Sequence, residues 1–316
     1  MLRPGLRLFA LPAFMLALAA CNHNPPPAPQ PAPPPPNTTP ENALRADLVL
    51  TRNGDFDGLL RSTLPPADYQ AWREEWQHAR AQQPAPTPEQ RAHFAQLMEK
   101  LTAPGAEDKL LKQLAPHRAQ LRTHRAQNLP MLIGILQATG NDLVQNADLS
   151  PDRKQQAMQA VAALAAWAQG TDFTDEAKAK QAIGVICATA RKLKIQTLDQ
   201  WRALDYPQVM ARYGTGWNGL KQLLKIYGLD LDATFDSAKL ETLSDDGTHA
   251  RVRETLTLAG KPIVSEVHLV KQEGHWYDAD ALKAWRKQHQ EPASSTAAGP
   301  SAASSAPAKA SSAPAH

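Results

Sequence analysis

The chain has 316 residues, of which 42% are hydrophobic and 21% charged, and its 34 basic and 31 acidic residues give a formal net charge of +3. That length allows one large or two small domains with buried cores. The near balance of charge, without a basic run, gives no indication of nucleic-acid binding.

The amino-terminal segment has the features of an export signal. Arg3 and Arg7 precede an apolar run from Leu8 to Ala20, which only Pro12 interrupts. A positive start, a short apolar core and small residues before a cleavage site are typical of a secretory signal. A membrane-spanning helix needs about 20 apolar residues, so this run is too short for one.

Leu18-Ala19-Ala20-Cys21, at the end of this run, resembles the lipobox of bacterial lipoproteins. The resemblance implies that residues 1–20 are a discarded leader and that Cys21 is the acylated first residue. Two or three acyl chains anchor a protein firmly, whereas a single chain holds weakly. In enterobacterial lipoproteins an Asp after the cysteine commonly signals inner-membrane retention, so Asn22 favours the outer membrane. An ordinary signal peptide is the alternative, but it gives no reason for the cysteine.

Residues 21–40 are predicted to be a proline-rich tether that begins at the lipidated cysteine. Ten of the nineteen residues from Asn22 to Pro40 are proline, and none is charged. Such a composition favours extended polyproline II, which rises about 3.1 Å per residue and acts as a semi-rigid spacer. The tether could therefore hold the folded part up to about 60 Å from its anchor.

Residues 41–195 are predicted to form a helical region, and the helical pattern continues to about Tyr227. A hydroxyl residue followed by proline is a helix-start signal, because the hydroxyl caps free N–H groups and proline at the first helical position loses no needed donor. It occurs at Thr39-Pro40, Thr87-Pro88 and Ser150-Pro151. Turn residues predict breaks between helices, including one at Gly140-Asn141.

After Gly228 the pattern changes to strand-like alternation. This alternation predicts three strands, over Leu229–Leu243, His249–Leu258 and Val264–Val270, and a fourth around Trp276. The turn at Ala259-Gly260-Lys261 predicts a hairpin, so the segment is expected to form a four-stranded antiparallel meander. A short last helix is expected over Asp280–Lys287. The fold class is therefore α+β, with residues 196–290 as an antiparallel-sheet domain.

The portion from about Gln196 to Lys287 resembles the small cystatin-like or nuclear-transport-factor-two-like domains of bacterial lipoproteins, with Leu269–Tyr277 as the stretch that matches the end of their sheet. The resemblance implies helices packed on a curved antiparallel sheet. Members of that superfamily range from enzymes to binding scaffolds, so the likeness does not choose a function. Residues 291–316 are almost entirely Ala, Ser and Pro and are expected to be disordered.

The sequence contains no recognisable catalytic or metal-binding motif. His117 and His124 could share a helix face, but no carboxylate or cysteine is placed to complete a metal site. The acidic residues Asp230, Asp232 and Asp236 lack the glycine and closing glutamate of an EF-hand loop, and they are expected on the solvent face of a strand. We therefore predict no catalytic residue, no metal and no cofactor, and no enzymatic activity.

The second cysteine lies in an apolar helical run, Ile183–Ala188. If Cys21 is lipidated, Cys187 has no partner in the chain, and a lone thiol in an exported protein could be reactive or form an intermolecular disulfide. A buried cysteine instead behaves as a small hydrophobic residue, which is the interpretation that the apolar run favours.

Three aromatic residues at helical spacing, Tyr69, Trp72 and Trp76, are the best candidates for a partner-binding surface. Tryptophan and tyrosine are enriched at the energetic centres of protein interfaces. At this spacing they can equally line the core, so both interpretations stay open.

These features predict a lipid-anchored protein of the bacterial outer membrane that faces the periplasm. The acyl chains on Cys21 would bind the membrane, and the folded part would have a non-catalytic role in binding a protein or an envelope component. A periplasmic immunity or inhibitor protein is one alternative, and a hydrolase of envelope material is another.

Overall fold

The computed structural model describes residues 33–290, apart from the side chains of residues 125–128 and 290. The helices in this range are α1 (Pro40–Asn53), α2 (Phe56–Thr63), α3 (Pro66–Ala81), α4 (Pro88–Thr102), α5 (Ala106–Gln145), α6 (Pro151–Gly170), α7 (Glu176–Leu193), α8 (Leu198–Ala203), α9 (Tyr206–Ile226), α10 (Leu231–Asp236) and α11 (Ala279–Gln290). The strands are β1 (Lys239–Asp245), β2 (His249–Leu258), β3 (Lys261–Gln272) and β4 (His275–Asp278). The predicted α+β class is confirmed.

Two of the three predicted helix starts are capped by the hydroxyl side chain. Thr39 accepts a hydrogen bond from the N–H of Asn42, and Thr87 and Gln90 form a reciprocal capping box. Ser150 precedes α6 as predicted, but its side chain does not cap the helix. Its buried hydroxyl oxygen has no hydrogen-bond partner within residues 33–290.

Helix α5 is continuous for 40 residues, and the predicted break at Gly140-Asn141 is wrong. A Cβ atom at Gly140 would lie 3.2 Å from a methyl carbon of Val161 in α6. Glycine is therefore the residue that lets the two helices approach closely, rather than one that ends α5. The helix ends at Gln145, where the side-chain amide of Asn146 donates to the carbonyl of Asp142.

The predicted strand over Leu229–Leu243 is wrong in its first half. Asp230 caps a short helix by accepting a hydrogen bond from the N–H of Ala233, so β1 begins only at Lys239. The expectation that the three acidic residues of this segment lie on the solvent face of a strand is also wrong. They lie in α10 or directly before it, and each forms an ion pair: Lys225–Asp230, Lys221–Asp232 and Arg52–Asp236.

The sheet is an antiparallel meander in the order β1-β2-β3-β4, as predicted. Ala259 and Gly260 connect β2 to β3, and both have a positive φ, of 50° and 77°. Two successive residues with positive φ are the requirement of a type I′ turn, whose backbone twist matches that of the two strands of a hairpin. Register runs without a shift from His249↔Val270 to Leu258↔Lys261.

Helices α1 and α6 cover one face of the sheet, which we call the inner face. Near one end, Ala43 and Leu44 of α1 pack with Val252 and Val267. At the other end, Ala163 of α6 packs in a second apolar cluster with Leu258 and Ile263. The core of the sheet is thus built across the sequence boundary expected at residue 195.

The amino-terminal end of the described chain is fixed to the edge strand β4. The side-chain amide of Asn37 donates to the carbonyl of Trp276, and its oxygen accepts from the N–H of the same residue, both at 2.9 Å. This pairing holds the amino-terminal end of the described chain beside β4.

Candidate functional site

Cys21, predicted as the site of lipid attachment, lies outside the described residues. So do the leader, most of the tether and the tail at 291–316. In the described part of the chain, no helix is both long and apolar enough to cross a membrane.

The aromatic residues predicted as a partner-binding surface lie together on α3 and contact the chain's own interior. Tyr69 is buried, and its hydroxyl donates to Asp57 at 2.7 Å. The rings of Trp72 and Trp76 lie edge-on to Tyr206 of α9, with centroids 5.4 and 5.1 Å away. These contacts join α3 to α9, while partner binding by the three residues stays a prediction.

Cys187 is fully buried among apolar side chains of α4, α5 and α7, which confirms the interpretation of a small hydrophobic residue. Burial raises the pKa of its thiol to about 11, and nearby Glu107 adds to the rise. The thiol is therefore protonated at neutral pH and is a poor nucleophile. His117 and His124 belong to no group of potential metal ligands, since residues 33–290 contain no cluster of three or more such side chains.

A polar layer separates the two apolar clusters on the inner face of the sheet. Glu254 and Ser265 are register partners on β2 and β3, and both are buried. Glu254 accepts a hydrogen bond from the amide of Gln156 at 2.9 Å. Arg153, on the same helix, lies 4.0 Å from Glu254 and 2.5 Å from Asp278 on β4. Asp47 of α1 completes the layer.

Electrostatics in the polar layer act most strongly on Asp47. Burial raises the pKa of Asp47 from 3.8 to about 7; the hydroxyl of Ser62 opposes this rise, and Asp278 and Glu254 add to it. Its Oδ1 atom has no hydrogen-bond partner within residues 33–290, and neither has the hydroxyl oxygen of Ser265. The layer thus holds three carboxyl groups around one guanidinium, with Asp47 partly protonated near neutral pH.

A cavity of about 230 Å³ adjoins this layer between α6, α10 and the sheet. Its walls are mainly apolar, with Leu256, Leu258 and Ile263 on the sheet side and Gln156 and Thr234 as polar members. The carboxyl groups of the polar layer are not among its lining residues. Pockets for small ligands commonly measure at least about 300 Å³, so this one is small. The layer therefore connects α1 and α6 to the sheet rather than facing a large binding pocket.

Six of the eleven large hydrophobic side chains that are exposed in the described chain lie on α5. Six aliphatic side chains there, which we call the α5 face, each have between 45% and 67% of their surface exposed. They are Leu121, Met131, Leu132, Ile135, Leu136 and Leu143. Monomeric soluble proteins seldom expose contiguous apolar patches of more than a few hundred Å², and larger patches mark interaction sites.

The surroundings of the α5 face explain why it stays exposed. Ile133 is buried, and Gly140 contacts Val161 of α6, so one side of α5 is covered by α6. Helix α6 is itself covered by the sheet, because Gln159 accepts a hydrogen bond from the N–H of Val264 in β3. The opposite side of α5 is the outermost layer of the molecule at this point.

Both helices of this layer contain long charge-free stretches. No Asp, Glu, Lys, Arg or His occurs between Arg125 and Asp142 on α5, or between Lys154 and Asp172 on α6. A helix that is apolar on all sides is normally buried. The charge-free run on α5 is the sequence signal for the exposed residues from Met131 to Leu136.

Comparisons of the chain with protein-family models, with characterised proteins and with solved structures gave no match.

Proposed function

We propose that this protein is a lipid-anchored binding protein of the bacterial envelope, held at the outer membrane through Cys21 and facing the periplasm. Its contact surface is the α5 face, and its role is non-catalytic. The observation that carries the proposal is the exposure of six large apolar side chains on α5, four of which lie within sixteen successive positions without a charged residue. Leaving such a surface in water is unfavourable, and covering it by a partner releases that free energy.

The polar layer supports the non-catalytic part of the proposal. The carboxyl groups of Glu254 and Asp278 are engaged with Arg153 and Gln156, and no carboxyl group of the layer lines the adjoining cavity. A general acid or base must come within hydrogen-bond reach of its substrate, directly or through one water. Asp47 has a suitable pKa but no such access to the cavity.

The binding role is tested by photo-cross-linking in intact cells, with a photoreactive residue at Leu132 in the tagged full-length protein. We expect a discrete cross-linked species that Ile135→Lys abolishes, because a charge cannot be buried in an apolar contact without a large desolvation cost. Val264→Lys introduces the same charge at an exposed apolar residue of β3 and should leave the species unchanged. No cross-linked species in the unsubstituted protein would contradict the proposal.

The anchor is tested by metabolic labelling with a fatty acid. We expect Cys21→Ser to abolish labelling and to leave the leader of residues 1–20 uncleaved, because the thiol that carries the acyl chains is absent. Cys187→Ala, which changes the other cysteine of the chain, should remain labelled and membrane-bound. A labelled Cys21→Ser protein would contradict the anchor assignment.

A further inference from the structure

A second surface of the described chain combines two arginines with three aromatic rings. Arg80 of α3 lies over the rings of Trp76 and Trp201, with its guanidinium carbon 5.4 and 6.0 Å from the two ring centroids. Tyr213 of α9 lies edge-on to Trp201, with ring centroids 5.8 Å apart, and 39% of its surface is exposed. Together with the partly exposed Arg202 of α8, these residues form what we call the arginine–aromatic patch.

The two arginines of the patch lie close together. Arg80 donates a hydrogen bond to the main-chain carbonyl of Trp201, the residue that precedes Arg202. Arg202 in turn donates to the carbonyls of Gln83 and Pro84, both at 2.9 Å, in the segment that follows α3. Burial lowers the pKa of Arg80, and the positive charge of Arg202 adds to this effect. The patch therefore holds two positive charges side by side.

No carboxylate of residues 33–290 compensates these charges, because both arginines donate to main-chain carbonyls and neither forms an ion pair. The acidic residues nearest to Arg202 in sequence are engaged elsewhere. Both carboxylate oxygens of Asp199 accept from Nε of Arg91 at 3.1 Å, and Asp205 caps α9. A guanidinium has five N–H donors, so both groups of the patch keep donors for a ligand. An anion between them would also offset their mutual repulsion.

The chemistry of the patch favours a carboxylate on a peptide over other occupants. The planar fork of a guanidinium matches the two oxygens of a carboxylate, and Trp, Tyr and Arg dominate the energetic centres of protein interfaces. Surfaces that bind anionic lipids commonly have about four to eight Lys or Arg, whereas this patch has two. A symmetric contact with a second copy would place arginines against arginines, which is unfavourable.

From these observations we infer that the arginine–aromatic patch binds an acidic segment of another protein. A Glu or Asp carboxylate of that segment lies between Arg80 and Arg202, and its neighbouring apolar atoms pack on Trp201 and Tyr213. The ring of Trp76, predicted from the sequence as part of a partner-binding surface, supports Arg80 from below. The patch shares no residue with the α5 face, and its binding does not depend on the proposed function of that face.

Fluorescence anisotropy with the full-length protein in detergent micelles tests the patch. The probe is a peptide of repeated Gly-Glu-Leu, blocked at both ends and labelled with a neutral dye, and its counterpart has Gln in place of Glu. We expect saturable binding of the Glu peptide and about tenfold weaker binding of the Gln peptide, because the amide cannot form charge-assisted bonds with the arginines. Equal affinities, or no saturable binding of either peptide, would overturn the inference.

Substitution of the arginines locates the binding. Arg80→Gln and Arg202→Gln should each weaken binding of the Glu peptide about tenfold, since each removes one cation from the carboxylate. Arg91→Gln removes an arginine that already has its own carboxylate, Asp199, and should change the affinity less than about twofold. Equal effects of all three changes, or none, would overturn the inference. Circular dichroism checks that the variants fold, and the comparison of the two peptides on the unsubstituted protein decides the question if one does not.

Competition at constant ionic strength separates the peptide from other anions. We expect the unlabelled Glu peptide to displace the probe at least about tenfold more effectively than acetate or glycerol phosphate, because only the peptide also contacts the aromatic rings. Glycerol phosphate that competes equally well would assign the patch to a phosphate such as a lipid headgroup. Acetate that competes equally well would assign it to any small carboxylate. Either result would overturn the acidic segment as the ligand.

Discussion

Asp47 shows how the environment of one carboxyl group couples stability to pH. Its folded-state pKa, about 7, lies above its ordinary value of 3.8 because the group is buried beside two other carboxyl groups. The folded state therefore holds a proton that the unfolded state has released. The stabilisation is fully present below about pH 4 and is lost as the pH rises through 7.

Replacing Asp47 with asparagine should remove this dependence. Above pH 7 we expect Asp47→Asn to raise the free energy of unfolding by up to about 4 kcal/mol, because the unfavourable buried charge is absent. At pH 4 the variant should match the unsubstituted protein within about 1 kcal/mol. Urea unfolding at the two pH values measures the difference, and an equal effect at both would contradict the assignment.

Asp246 provides a control, because its pKa is lowered and its contribution to stability therefore changes with pH in the opposite direction. Hydrogen bonds from the N–H of His249 and from Thr248 lower the pKa of this exposed carboxyl to about 2. Its stabilisation is present above pH 4 and is lost as the pH falls towards 2. Asp246→Asn should therefore destabilise the protein at neutral pH and lose its effect in acid.

At the scale of the elements, prediction succeeded where local signals and packing agree. Strand β2 begins and ends at His249 and Leu258, as its alternation indicates. Prediction failed at α10, where the side chain of Asp230 caps a helical turn that alternation cannot reveal. It failed again at Gly140, because only the approach of Val161 explains a glycine inside α5.

Two glycines of α5 allow a matched test of this explanation. Gly134 has open space where a Cβ would lie, so Gly134→Ala should raise the free energy of unfolding by about 0.8 kcal/mol through helix propensity. Gly140→Ala gains the same propensity but presses on Val161, so its net stabilisation should be smaller or negative. Thermal unfolding of the two variants measures the difference, and equal stabilisation would show that the α5–α6 contact is looser than described.

Arg153 joins α6 to two strands of the sheet. Arg153→Ala would leave Glu254 and Asp278 without their guanidinium partner, and we expect a loss of about 3 kcal/mol in the free energy of unfolding. The matched change Arg91→Ala removes an exposed pair with Asp199 and should cost less than about 0.5 kcal/mol. Urea titration compares the two, and equal losses would contradict the structural role of the polar layer.

For the whole molecule, the sequence predicted the fold class but not how the two regions share a core. Composition and periodicity identified helices before residue 195 and a meander after it. They carried no information on which helices cover the sheet, because the apolar sides of α1 and α6 resemble those of the other helices. Ala43 and Ala163 are small residues whose role appears only when the sheet packs against them.

The shared core predicts that the carboxyl-terminal region does not fold alone. A fragment of residues 196–316 lacks α1 and α6, so the inner face of its sheet would be exposed to water. We expect no cooperative urea transition by circular dichroism, whereas the full chain should unfold cooperatively. A fragment with its own sharp transition would establish residues 196–290 as an independent domain.

The pairing of Asn37 with Trp276 has a mechanical consequence. Residues 33–36 precede this pairing at the edge of the sheet, so a pull on the amino-terminal end of the described chain acts on two hydrogen bonds before it reaches α1. Each such bond contributes only about 1 kcal/mol, and the pairing would open before any packed element moves. Release of residues 37–39 would lengthen the reach of the chain by about 10 Å. Tension would thus be relieved by extension while the sheet stays folded.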